Sequence, residues 1–424
     1  MGEGESGGSP PHPLAPSPPP RLEVGMADVR EGVTIPMMRN NRSRLLFVVG
    51  SVAALVSIRA VTNPNGAGRD PATRALTIFS DVLSLTRQNY VEPIETKTLL
   101  QGAYDGMSDA LDPFSYYVPA SERAAYRAQL GSGAVGPGIV LARRGGLPYV
   151  VAPLPGSPAE KAGVKPGDLI DMIDGKQVRN FPLWKVKASL EGPEGTHVDL
   201  VLFRGGDERR VPLKVSRAKL ASAPVTTRWE RDVAIVQIPS FTRETADAVR
   251  QALEEANRRS ISRLILDLRG SIGGEIADAG PPAALFTGKG PIATVVSRKA
   301  TLPPLEVTGE RLWKGRTVIL TDDATGGPSE VFAAALHDRA EGITVGEATV
   351  GMAIVQRPIP TESGGTLFMT VARYLSPSGT PLAGRGLAPD DRVIVFPGEG
   401  EGKDLILMRG LEIARGAAPS KKAA

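Results

Sequence analysis

The period of the apolar positions changes several times along the chain, and each change marks an element. From residue 72 to about 130 they recur at three and four, with Leu76, Phe79, Val82, Leu83 and Thr86 on one stripe and a second stripe over 96–111. Two amphipathic helices are predicted, the second closed at Asp112-Pro113 because a residue before proline avoids helical backbone. From 131 to about 216 short strands alternate with turn signals. Residues 139–141, 149–153 and 169–173 read as strands, Asp174-Gly175 as a hairpin turn, 157–163 as a short serine-capped helix and 181–190 as a longer one. From 225 the pattern is α/β: strand 233–239, helix 244–258, and a nearly unbroken apolar strand 263–268, as in a parallel sheet covered on both faces. Strand 317–320 then runs through Gly326, Gly327 and Pro328 into an apolar helix from Ser329 to about 336. Strands at 343–345 and 351–356, a hairpin at 361–375 and a terminal helix at 404–415 complete the series.

Composition narrows the classes. A chain of 424 residues with 41% apolar content buries a sizeable core in two or three domains. Fifty Lys and Arg against 46 Asp and Glu, scattered rather than clustered, give no case for nucleic acid. Zero cysteines exclude disulfides, thiol chemistry and cysteine-zinc sites, and the three dispersed histidines, His12, His197 and His337, argue against a metal centre. No cofactor is expected.

The N-terminus has its own pattern. Residues 1–38 are rich in Pro, Gly and Ser and are expected to be disordered on the cytoplasmic side. Arg39, Arg42 and Arg44 precede an apolar run, so 39–61 reads as a signal anchor or signal peptide that exports the rest of the chain. No clean cleavage site follows, which favours an uncleaved anchor.

The strand, tight turn and helix over 317–336 form the layout that holds a nucleophile in acyl-transfer enzymes. Here the chain resembles the carboxyl-terminal processing, or tail-specific, peptidases, whose signature is an S-A-S-A-S-E turn followed by a G-K-G turn. The string 156–175, G-S-P-A-E-K-A-G-V-K-P-G-D-L-I-D-M-I-D-G, resembles the PDZ domains embedded in those peptidases. Asp267-Leu268-Arg269-Gly270-Ser271-Ile272-Gly273-Gly274 is close to their D-L-R-x-N-x-G-G, with Ser271 in place of Asn, and 374–379 and 386–390 resemble their closing motifs. The resemblance implies a multidomain α+β protein: an N-terminal helical region at 72–130, a PDZ domain at 131–217, a peptidase core of ClpP/crotonase-like type at 218–398, and a helix with a basic tail at 399–424.

It also implies site residues. Laid through Ser329-Glu330, the nucleophile position falls on Gly327; laid through Gly346-Glu347 and Gln356, the lysine base position falls on Met352, 25 residues on. Glycine has no side chain to attack with, and a thioether cannot take a proton. Gly273 and Gly274 correspond to the oxyanion-forming pair, and Asp338 and Gln356 to polar positions that support the dyad. Thr325 and Ser329 flank the lost nucleophile, but two residues of extended chain displace a side chain by roughly 6 Å, against the about 3–3.5 Å that attack needs. Ser329 reads as the helix N-cap.

In the PDZ segment, the resemblance gives capture of a peptide carboxylate to the loop Val135, Gly136, Gly138, Ile139 and Val140, with an apolar pocket from Leu183, Val186 and Leu190. Pro137 has no N–H to contribute. The expected function is therefore that of a peptidase homologue, inactive at Gly327 and Met352, whose PDZ domain binds protein C-termini or unfolded segments. It would be anchored in the membrane and act beside an active paralogue or in a homo-oligomer. The alternative is an active serine endopeptidase with an unrecognised nucleophile such as Ser329.

Overall fold

The computed structural model describes residues 71–205, 210–299, 301–394 and 403–420. The described residues up to Val82 and those from Leu83 onward fall into separate units. The expected tail and anchor, 1–38 and 39–61, lie outside the described residues. Among the described residues no helix is long and apolar enough to cross a membrane. Helix α1 (Pro71–Asn89) opens the described chain and buries none of its residues; of the apolar stripe that predicts it, Leu76, Phe79 and Val82 lie exposed. Helix α2 (Thr96–Asp109) follows. The rest of the stretch to 130 is not helical throughout, for it contains strand β1 (Tyr116–Val118) before helix α3 (Arg123–Gly131).

The PDZ-like segment comprises β2 (Ile139–Arg144), β3 (Leu147–Pro153), α4 (Pro158–Lys161), β4 (Leu169–Ile173), β5 (Lys176–Gln177), α5 (Leu183–Leu190), β6 (His197–Phe203) and β7 (Arg210–Ser216). Its sheet runs β2-β3-β4-β6-β7, with β5 paired to β4. Ser157 Oγ caps α4 by accepting from Glu160 N at 3.2 Å. Asp174 and Gly175, at φ 47° and 73°, make the tight turn between β4 and β5. Helix α5 begins two residues later than the pattern suggests: Phe181, preceding Pro182, is kept out of helical backbone, and Pro182 is the N-cap.

The remainder contains β8 (Thr226–Glu230), β9 (Val233–Gln237), α6 (Thr245–Arg258), β10 (Arg263–Asp267), α7 (Gly280–Thr287), β11 (Gly290–Ser297) and β12 (Thr301–Val307). It continues with β13 (Arg316–Thr321), α8 (Pro328–Ala340), β14 (Ile343–Gly346), β15 (Ile354–Pro360), β16 (Thr366–Leu375), β17 (Asp391–Arg392) and α9 (Leu405–Ala414). The main sheet runs β17-β14-β13-β10-β9-β8, parallel except at the β8 edge. Its apolar runs are unbroken because both faces are covered. Ala234, Val236, Leu264 and Leu266 pack with α6, α7 and α8, while Val233, Ile235, Ile265 and Leu320 pack with Ile406 and Ile413 of α9.

A second sheet, β1-β16-β11-β12 with β15 on β16, was not anticipated in this form. The expected strand at 351–356 and hairpin at 361–375 are displaced: β15 starts at Ile354, and 361–365 is the turn, closed by Thr361 N donating to Gly365 O at 3.0 Å.

Two further features position the site. Helix α8 starts at Pro328 with Gly327 as its N-cap, so Ser329 is inside the first turn rather than capping it. An apolar cluster also joins the two domains, bringing Val140, Ala142 and Val151 of the PDZ sheet together with Ile272, Ala324 and Met352 of the core.

Candidate active-site cleft

Strand β13 and helix α8 meet at a sharp turn. Gly327 sits there at φ 62° and ψ −118°, backbone that side-chain-bearing residues rarely adopt. A Cβ built on it would meet nothing within 4 Å. The conformation is that of an elbow presenting a side chain to open space, and no side chain is present.

The elbow is fixed from behind by Glu330, which is fully buried. Its Oε2 accepts from Gly327 N at 3.0 Å and Met352 N at 2.7 Å; its Oε1 accepts from Thr349 Oγ1 at 2.6 Å and from Gly351 N. Thr349 Oγ1 in turn accepts from Leu387 N at 2.8 Å. Burial pushes the Glu330 carboxyl up to about 7, against the pull of the four donors. One carboxylate thus fixes the relative position of Gly327 and Met352, the two residues to which the resemblance assigns the dyad.

Both residues line a cavity of about 490 Å³. Ile139, Val140, Leu141, Leu183 and Lys187 form its PDZ wall, and Ile272, Gly274, Pro328 and Gln356 contribute to the core wall. Among the described residues this lining holds no serine, threonine, cysteine or histidine. A second cavity, of about 510 Å³, adjoins it across Gly274 and Glu275 and takes in Gly273, Ser240 and Arg243.

The flanking hydroxyls are committed elsewhere. Ser329 is fully buried, its Oγ 2.7 Å from Ser271 Oγ. Thr325 Oγ1 donates to Leu268 O or Asp322 Oδ1, at 2.9 and 2.8 Å, and accepts from Asp322 N. Gly274 adopts φ 112° because the backbone passes so close to Phe241 that a Cβ would lie 1.9 Å from its carbonyl oxygen. Gly273 is bridged to Ser240, and Phe241 N donates to its carbonyl at 2.9 Å.

Several expected site residues lie elsewhere. Asp338 is not in the cleft: it accepts from Ser376 Oγ at 2.5 Å and Ser378 N at 2.8 Å and contacts His337 Nδ1, so it pins the 376–380 turn. Burial disfavours its charge, but these donors hold its pKa below the usual carboxylate range. Gln356 does line the cleft. Ile139, Val140 and Leu183 also face it, whereas Val135, Gly136 and Gly138 do not. Val135 exchanges two backbone hydrogen bonds with Gly192, Gly136 O accepts from Ala218 N, and Gly138 is pressed against Ser157. Val186 and Leu190 pack in the domain core together with Leu183, and neither lines the cavity.

Of the cleft residues that the sequence reading did not name, two bear on the chemistry. Pro328 follows the elbow and has no N–H, although the residue after a nucleophile ordinarily supplies an oxyanion donor. The proline itself was the available signal. Lys187 was legible as the residue one turn after Leu183 on the same helix face.

Comparison with known proteins bears on this geometry. Residues 232–393 match the model of peptidase family S41, and residues 149–204 match a PDZ domain. The segment 232–393 is thus similar to peptidase family S41, and the segment before it to a PDZ domain. The carboxy-terminal-processing protease of Bartonella bacilliformis is 29% identical over 358 residues, 82% of this chain and 82% of that protein. The carboxy-terminal processing protease CtpA of Bacillus subtilis is 28% identical over 351 residues, 81% of this chain and 75% of that one. The solved photosystem II D1 C-terminal processing protease superposes with a TM-score of 0.61 at 26% identity, over 77% of this chain and 95% of that one.

Proposed function

We propose that this chain is a proteolytically inactive S41 homologue that binds protein C-termini or unfolded peptide segments in the cleft between its PDZ domain and its core. The observation that carries the reading is the cleft wall, which among the described residues offers neither a hydroxyl nor a thiol. At the elbow stands a residue with no side chain, after it one with no N–H, and at the base position a thioether. Serine-type acyl transfer needs a nucleophile, a base and oxyanion donors, so the first two requirements go unmet and one donor of the third is lost. The buried Ser271–Ser329 pair gives the active alternative no accessible nucleophile.

The Arg-flanked apolar run at 39–61 supports an anchored protein whose bulk lies outside the cytoplasm, periplasmic if the cell has two membranes. There it would act as an adaptor, as an inactive subunit beside an active paralogue, or as a homo-oligomer. The test is a fluorophosphonate probe together with a casein turnover assay on the full chain in detergent. We expect neither labelling nor turnover. Labelling that disappears in Ser329→Ala overturns the reading, and protease accessibility of a C-terminal tag in intact cells checks the orientation.

A further inference from the structure

Lys187 is the one lysine in the cleft, and among the described residues it forms no ion pair or hydrogen bond with any acidic group. It stands one turn after Leu183 on α5, on the helix face that looks across the cavity toward Gly327 and Met352. The nearest acid on its own helix, Glu191, accepts a hydrogen bond from Gln129 Nε2 at 2.8 Å. Glu275, the acid that lines the cavity, forms no ion pair or hydrogen bond with it among the described residues.

The side chain is solvent-accessible, yet the cleft walls crowd the ammonium. Desolvation draws its pKa below the usual lysine range, with Glu191 opposing. Lys187 forms no direct ion pair on this wall, so an anion bound beside it gains a charge-assisted partner. The loop expected to capture a carboxylate is poorly equipped by comparison. Pro137 has no N–H, and the N–H of Val135 is donated to Gly192 at 2.9 Å.

We propose that Lys187 is the carboxylate-binding group of this cleft, holding a carboxylate of an extended peptide whose apolar side chains lie along Ile139, Leu141 and Leu183. Peptides supply that group either as the free C-terminus or as an Asp or Glu side chain. This inference rests on the peptide-binding reading above and adds to it the site of the charge.

The test uses the full chain and three fluorescein-labelled octapeptides of Ala and Leu: one with a free C-terminus, one C-amidated, and one C-amidated with a single internal Glu. Binding is read by fluorescence anisotropy in wild type, Lys187→Met and Lys187→Arg. Lys187→Met is expected to weaken the free-acid peptide at least tenfold, to leave the plain amide unchanged, and to be rescued by Lys187→Arg. A loss confined to the Glu peptide assigns the side-chain carboxylate instead of the terminus.

Equal affinity of wild type and Lys187→Met for every peptide overturns this inference and leaves peptide binding standing, as does an equal loss for acid and amide. No binding of any peptide to wild type overturns both. Release of new amine termini overturns the inactive reading alone.

Discussion

Glu330 and Met352 are joined by a 2.7 Å hydrogen bond from the Met352 backbone N–H to the Glu330 carboxylate, which also accepts from Gly327 N. The two positions to which the resemblance assigns the dyad are therefore held in register by a buried acid on the first turn of α8.

Replacing Glu330 with Gln tests how far that register depends on charge. Each carboxylate oxygen faces at least one backbone N–H, so in either orientation the amide NH₂ of Gln opposes a donor and leaves it unsatisfied. Glu330→Gln is expected to cost about 1–3 kcal/mol of stability and to weaken peptide binding in the cleft. Urea denaturation and anisotropy titration check both effects. Unchanged stability would mean that the acid is not needed as a four-way acceptor.

The seam between the PDZ domain and the core makes a separate prediction. Ile272 is 3% exposed in the cluster that includes Ala142, Val151 and Met352. Truncation to Ala deletes three buried carbons where two domains meet, and a loss of about 2–4 kcal/mol is expected. Limited proteolysis should then cut the linker between the domains faster than in wild type. An unaltered cleavage rate would place the hold between the domains elsewhere.

His337 carries the pH dependence. Its Nε2 lies 3.3 Å from Asp390 and its Nδ1 2.8 Å from Asp338, and the contact with Asp390, followed by that with Asp338, raises its pKa to about 9 despite partial burial. A histidine whose folded pKa exceeds the unfolded value of about 6.5 stabilises fully below that value and loses the contribution as pH rises toward 9. The ring is 36% exposed, so screening leaves about 1–2 kcal/mol of the effect. His337→Gln should therefore destabilise the chain by that amount at pH 6 and by much less at pH 9.5, as read by denaturation at the two pH values. A constant difference would show that the ring acts by packing and not by charge.

What could be read from sequence follows from how local each signal is. The parallel strands were legible because Val233 to Val236 and Leu264 to Leu266 are apolar on both faces, and the elbow because Gly326, Gly327 and Pro328 break the chain between a strand and a helix. Strand β12 was hidden by Pro303 and Pro304, tolerated because it lies at a sheet edge. Strand β1 is three residues long and pairs only with distant β16. Ser329 looked like a cap by residue type, yet Glu330 reaching back to Gly327 N starts the helix two residues earlier. Lys187 reaches the cleft only because the PDZ domain docks on the core, a relationship that no spacing along the chain records.

The absence of an N–H at Pro328 sets the expected outcome of an attempt to install the dyad. Gly327→Ser is sterically open, since nothing lies within 4 Å of the new Cβ, although φ 62° costs the serine about 1–3 kcal/mol. Met352→Lys places an amine on the side of the cleft that Glu330 holds against the elbow. Even so, the pair leaves Pro328 after the serine, with no N–H to meet a developing oxyanion. Loss of one such donor typically lowers kcat by about 10²–10³. Adding Pro328→Ala supplies the donor at a helix position whose N–H needs no intrahelical partner. The triple variant is therefore expected to hydrolyse casein about 10²–10³ times faster than Gly327→Ser with Met352→Lys. Equal rates would place the oxyanion donor elsewhere on the cleft wall, and inactivity of a folded triple variant would show that the register through Gly327 and Met352 is wrong.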